Sequence, residues 1–109
     1  MQGPVEMNFK GVQKTASIEN LIYGKVAKLE QICGRIVSCR VTVEITNRHQ
    51  QTGSPFRVNI DMAVPPGHEL VVKHRSTDGD MHDSLPKVLR EAFSAADRRL
   101  KDLVHRQQV

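Results

Sequence analysis

The 109-residue sequence has no tryptophan, one tyrosine and three phenylalanines, so any core it builds is mostly aliphatic. Base-stacking aromatics are scarce for the same reason, which argues against single-strand stacking as a main binding mode. Its two cysteines, Cys33 and Cys39, match neither a CxxC redox pair nor a zinc quartet. Both fall on apolar positions and are expected to be buried free thiols in a reducing compartment. No apolar run approaches the ~20 residues that span a bilayer. The opening "MQGPVEMNFKG" lacks the charged-then-apolar layout of a signal peptide, so a cytoplasmic protein is expected.

Chemical signatures are also missing. There is no phosphate-binding glycine loop, nucleophile elbow or pair of catalytic carboxylates, and no enzyme is expected. His68, His74 and His82 lie near Asp78, Asp80 and Asp83, but at spacings that match no zinc site. "DGD" is only a fragment of a calcium loop, so neither a metal nor another cofactor is expected.

What the sequence does have is clean alternation and helical spacing. Residues 4–10, "PVEMNFK", place Val5, Met7 and Phe9 on one side, as a short half-buried strand does. After a connector over residues 11–16, Ser17 is the expected N-cap of a helix running to about Cys33. Its stripe is Ile18, Leu21, Ile22, Val26, Leu29, Ile32 and Cys33, with Gly34 as a C-terminal stop. "IVSCRVTVEIT" (36–46) turns Val37, Cys39, Val41, Val43 and Ile45 to one face. "FRVNIDMAV" (56–64) does the same with Phe56, Val58, Ile60, Met62 and Val64. Between them lies a polar loop, "TNRHQQTGSP" (46–55), in which Arg48 and His49 are open to either a plain hairpin role or an RNA contact.

Pro65, Pro66 and Gly67 make a tight turn, with Gly67 at positive φ. "ELVVKHR" (69–75) is the fourth strand, and residues 84–108 form the last helix, with Pro86 tolerated in its first turn. The order is β-α-β-β-β-α. Strands with one apolar and one polar face predict a two-layer α+β sandwich, both helices on one side of a four-stranded sheet.

The net charge of +4 is unevenly placed. Residues 84–109 hold six Lys or Arg against three acids, whereas the preceding 83 hold ten against nine. At 100° per residue, Leu85, Leu89, Ala92, Phe93, Ala96, Leu100 and Leu103 gather on one side of the last helix. Lys87, Arg90, Ser94, Arg98, Lys101 and His105 run along roughly the other, over about 27 Å at ~1.5 Å per residue. Glu91, Asp97 and Asp102 are expected at the margins of that line. A solvated helix face would also be rich in Lys and Arg, and acids one turn away would favour that reading. In the first helix Lys25 and Lys28 follow one edge of the apolar stripe. With the helices side by side, that edge would border the groove between them. Two basic edges along a groove suit a phosphate backbone. Arg40 and Arg57, projecting from the other face of the sheet, are expected to pair with Glu44 or Asp61 rather than to form a second RNA site.

Several segments carry a family likeness: "MNFKG", "IENLIYGKVAKLE", "SCRVTVE", "FRVNIDMAV", "PPGHELVV" and "LREAFSAADRRLKDL". In this order the chain resembles the ribosome hibernation-promoting factors, which include ribosome-associated inhibitor A and are also called the sigma-factor modulation protein family. The resemblance implies a β-α-β-β-β-α fold similar to double-stranded-RNA-binding domains. It also implies a cytoplasmic protein that binds the small ribosomal subunit between head and body. There it would overlap messenger and transfer RNA and hold ribosomes inactive in stationary phase or stress. The implied RNA-binding positions are Lys25 and Lys28, then Arg90, Arg98, Arg99 and Lys101; Lys87 joins them from the basic line.

Pro86 stands where many relatives carry an aromatic residue, and the 46–55 loop is longer than in short members. Neither the C-terminal dimerisation domain of long-form relatives nor the cold-shock domain of others is expected within these 109 residues. The expectation is a single ribosome-binding domain over residues 1–109, either a short form or the N-terminal domain of a longer protein. A protein–protein adaptor, meeting an acidic partner with the basic helix or pairing through a sheet edge, is the alternative.

Overall fold

A computed structural model describes residue 3 and residues 5–45, 56–75 and 85–107. The elements are β1 (Val5–Lys10), α1 (Ala16–Ile32), β2 (Ser38–Ile45), β3 (Phe56–Val64), β4 (His68–His74) and α2 (Leu85–Gln107). The expected order holds. The strands lie side by side as β1-β2-β3-β4. β1 is parallel to β2 and the other pairs are antiparallel, so the sheet is mixed. A parallel pair needs a long crossover, and α1 supplies it.

Alternation along the strands decides which face is covered. Cys39, Val41 and Val43 on β2, Val58, Ile60, Met62 and Val64 on β3, and Leu70 and Val72 on β4 are all buried. They form one cluster with Ile18, Ile22, Val26 and Leu29 of α1 and with the predicted stripe of α2. Val88, 0% exposed, widens that stripe beyond the residues expected from the sequence. Leu21 and Ile32 are only partly buried, at the edge of the α1 stripe. Polar side chains occupy the other face of the sheet, so both helices lie on one side of it.

Four local expectations need correction. The N-cap of α1 is Thr15, not Ser17: its Oγ1 accepts from the Ile18 N–H at 3.2 Å. Glu19 lies in the first turn, where a carboxylate opposes the positive end of the helix. Gly34 does not end the helix in a left-handed conformation. Cys33 caps it with extended backbone (φ −143°, ψ 102°), its N–H bonded to the Leu29 carbonyl at 3.0 Å.

The third correction concerns β2, which begins at Ser38 rather than Ile36. The alternation therefore does not extend back through the connector: Ile36 is fully buried and Val37 is 38% exposed. The fourth is Arg40, which pairs with Glu6 on neighbouring β1 at 2.9 Å rather than with Glu44 or Asp61. Glu6 and Arg40 are direct register partners. Arg57 does pair with Glu44, at 3.4 Å.

The β3–β4 turn has a cis Pro65–Pro66 bond and Gly67 at φ 67°, the positive value expected there. The 46–55 loop with Arg48 and His49, the segment with Asp78, Asp80, His82 and Asp83, and the helix ends at Ser84 and Gln108 lie outside the described residues.

Candidate nucleic-acid interface

α1 and α2 pack side by side, and their facing shoulders enclose an open groove of roughly 240 Å³. Lys25 and Lys28 line one wall; Arg90, Ser94 and Asp97 line the other. Leu29 and Phe93, 2% and 3% exposed, close the floor. Helical geometry explains the arrangement. Lys25 and Lys28 sit about 60° and 120° round from the centre of the buried stripe, on the flank that meets α2. Lys25 is half-buried, its aliphatic stem against the groove and its ammonium free to reach water. On α2, Arg90 and Asp97 are two turns apart, about 10 Å along the axis. The cations are thus spread along the groove rather than focused on one point. Such a spread suits a run of phosphates better than a small metabolite.

The basic line of α2 divides between two flanks. Arg90 and Ser94 form the ridge, because they also line a shallower hollow on the far side with His74, Glu91, Ala95 and Arg98. Arg98 reaches back towards Ser94, its Nη1 3.5 Å from Oγ. Lys87, Lys101 and His105 are exposed on α2. Arg99 points the other way, its Nη1 donating to the main-chain carbonyl of Val71 on β4. The groove therefore brings Lys25, Lys28 and Arg90 together, while Arg98, Arg99 and the exposed Lys87 and Lys101 lie outside its walls.

The acids of α2 are closer to the cations than the helical wheel implied, at the one-turn spacing that favours a solvated helix face. Asp97 Oδ2 is 3.1 Å from Lys101 Nζ and Asp102 Oδ2 is 3.4 Å from Arg106 Nη2, both one turn apart. Steps of four leave only about 40° between side chains, so a carboxylate at the margin still reaches its partner. Such exposed pairs are worth only about 0.3–0.5 kcal/mol each. An approaching phosphate can therefore displace them at little cost. Asp97 belongs to the groove itself, a role that sequence reading missed. The signal was present: Asp97 is one residue after Ala96 and two turns from Arg90, which places it on the same wall. Glu91 turns to β4, where its Oε1 lies 3.1 Å from His74 Nε2.

No helix among the described residues is long and apolar enough to cross a membrane. Within those residues, no three His, Cys, Asp or Glu side chains are grouped to hold a metal ion.

No curated protein sequence matches the chain. Among solved structures it is similar to the crystal structure of the Thermus thermophilus Protein Y N-terminal domain. That match has 15% identity and a TM-score of 0.69, over 90% of this chain and 94% of that one. A ribosomal subunit interface protein from Coxiella burnetii matches with 14% identity and a TM-score of 0.71, over 93% of this chain and 97% of that one. At these identities the likeness establishes a shared fold. The sequence itself matches a family model over residues 5–108, nearly its whole length, and the chain belongs to the family described as sigma 54 modulation protein / S30EA ribosomal protein.

Proposed function

We propose that this domain binds the small ribosomal subunit through the groove between α1 and α2, and silences translation by occupying the channel for messenger and transfer RNA. The carrying observation is that Lys25, Lys28 and Arg90, from two helices far apart in sequence, share one open groove with an apolar floor. Lys87, Arg98 and Lys101 extend the basic surface over the exposed side of α2, and Arg99 adds a cation on its β4 flank. Family membership supports the ribosome as partner, and the name of one structural neighbour, a ribosomal subunit interface protein, agrees with it. The mechanism is electrostatic capture of RNA phosphates followed by steric exclusion. It needs no bond-making step or cofactor. Residence with ribosomes places the protein in the cytoplasm, and stationary phase or stress is when such silencing serves a cell.

Co-sedimentation with separated ribosomal subunits across a salt series tests the proposal. The chain is expected to travel with the small subunit at low salt and to leave it as salt rises, with a log–log slope near 0.9 per duplex phosphate contacted. Initiator transfer RNA should displace it. The folded triple variant Arg90→Glu, Arg98→Glu, Lys101→Glu should remain at the top of the gradient. Undiminished binding of that variant would refute the assigned face. Binding that persists under saturating messenger and transfer RNA would instead favour an adaptor that docks on ribosomal protein.

A further inference from the structure

The face of the sheet turned away from the helices is electrically two-ended. Near the β3–β4 turn, Glu6, Asp61 and Glu69 surround Arg40 in one shallow hollow. At the opposite end Arg57, Lys73 and Arg75 surround Asn59 in another, of roughly 260 Å³. Asn59 and Lys73 are direct partners across β3 and β4. Continuing that register by two residues brings Arg75 level with Arg57. Like charges opposite one another in a sheet are destabilising. Glu44 engages Arg57, but no ion pair engages Lys73 or Arg75 among the described residues.

Two enclosed polar atoms sharpen the point. Arg75 Nε and Asn59 Oδ1 are both shielded from solvent and lack a hydrogen-bond partner. An enclosed N–H with no acceptor costs on the order of 1–3 kcal/mol, and more on a charged group. A ligand that brings acceptor oxygens removes the cost. A half-turn of the Asn59 amide exchanges its oxygen and nitrogen, and so converts the second orphan into another donor. The hollow then offers a guanidinium fork, an ammonium and an amide N–H to a single anion.

We propose that this basic end of the outer sheet face is a second phosphate-contacting surface, taking the backbone of an RNA segment other than the one in the helical groove. The inference rests on the reading that the domain binds ribosomal RNA. Among the described residues the hollow carries only polar and charged side chains, whereas protein interfaces are built on an apolar core. Guanidinium forks match phosphate oxygens in geometry as well as charge. The groove and this face lie on opposite sides of a two-layer domain, so RNA would hold the domain from both sides.

Amide chemical shifts of the labelled chain, titrated with an RNA duplex of about 16 base pairs, separate the two surfaces. Shifts are expected at Lys25, Lys28 and Arg90 and also at Arg57, Asn59, Lys73 and Arg75. The double variant Lys73→Gln, Arg75→Gln should lose the second set and keep the first. Its binding to small subunits should weaken several-fold, with a salt slope lower by about 1–2. The single variant Lys73→Gln, at an exposed position, gives the same readout if the double variant does not fold. Movement of the groove residues alone overturns the second surface and leaves the proposed function standing. Movement of the sheet residues alone overturns the groove assignment and supports the second surface. No movement at either set refutes both.

Discussion

Asp97 and Lys101 meet at 3.1 Å one turn apart on α2, and the same carboxylate forms part of the groove wall that faces Lys25 and Lys28. The groove thus contains its own competitor for cations. Replacing Asp97 with Asn would free Lys101 and remove the one carboxylate that lines the groove among the described residues. If phosphates bind there, ribosome affinity should rise several-fold at moderate salt, with little change in stability because exposed pairs contribute about 0.5 kcal/mol or less. Isothermal titration or filter binding with purified subunits reads the change. Unaltered affinity would remove the groove from the binding surface.

Arg99 separates structural from binding roles on the same helix. Its guanidinium donates to the Val71 carbonyl on β4, one of the two outer strands of the sheet. A covered edge is protected from pairing with another chain. Arg99→Gln should lower unfolding free energy by about 1 kcal/mol and raise the tendency to self-associate, while costing less RNA affinity than Arg90→Gln. Denaturant melts, light scattering and a binding curve check this together. Equal losses of affinity for the two variants would show that the flank of Arg99 also contacts RNA.

Gly11 and Gly67 both have positive φ, at 71° and 67°, yet they should not tolerate alanine equally. A Cβ at Gly67 meets nothing within 4 Å, whereas one at Gly11 would come within 2.9 Å of Ile45 Cγ2. Gly67→Ala should cost about 1–2 kcal/mol from backbone strain alone. Gly11→Ala should cost more, because Ile45 at the end of β2 has to shift. Urea denaturation of the two variants decides the order.

These contrasts also show how far the sequence could be read. Strand faces were legible because one side of the sheet is dry and the other wet, which makes alternation at Val58, Ile60, Met62 and Val64 unambiguous. The α2 stripe was legible for the same reason. Thr15 was missed because two residues of capping chemistry lie within three positions, and only the hydrogen bond to Ile18 distinguishes them. The groove could be anticipated from Lys25, Lys28 and Arg90 once both helices were placed on one face. The spacing of Asp97 from Arg90 also put its carboxylate on that wall, but a helical wheel shows direction and not the reach that brings it to Lys101. The basic end of the outer sheet face depends on register between β3 and β4, which periodicity within one strand never encodes.

Cys39 provides the pH-dependent prediction. Burial raises its thiol from the usual 9.0 to about 11, with further increments from the negative charges of Asp61 and Glu30. In the unfolded chain the thiol ionises near its ordinary value; in the folded protein it remains neutral over the next two pH units. A raised folded value means that its contribution is complete below pH 9 and disappears as pH climbs towards 11. The loss approaches about 3 kcal/mol at most, by the linkage relation. The comparison is with Cys39→Ala, whose stability should fall less steeply between pH 9 and 11. Thiol-reactive dye at pH 8 should also label Cys39 only after denaturant is added. Parallel stability profiles for the two proteins, or prompt native labelling of Cys39, would show that the thiol is not held in the dry interior under β2.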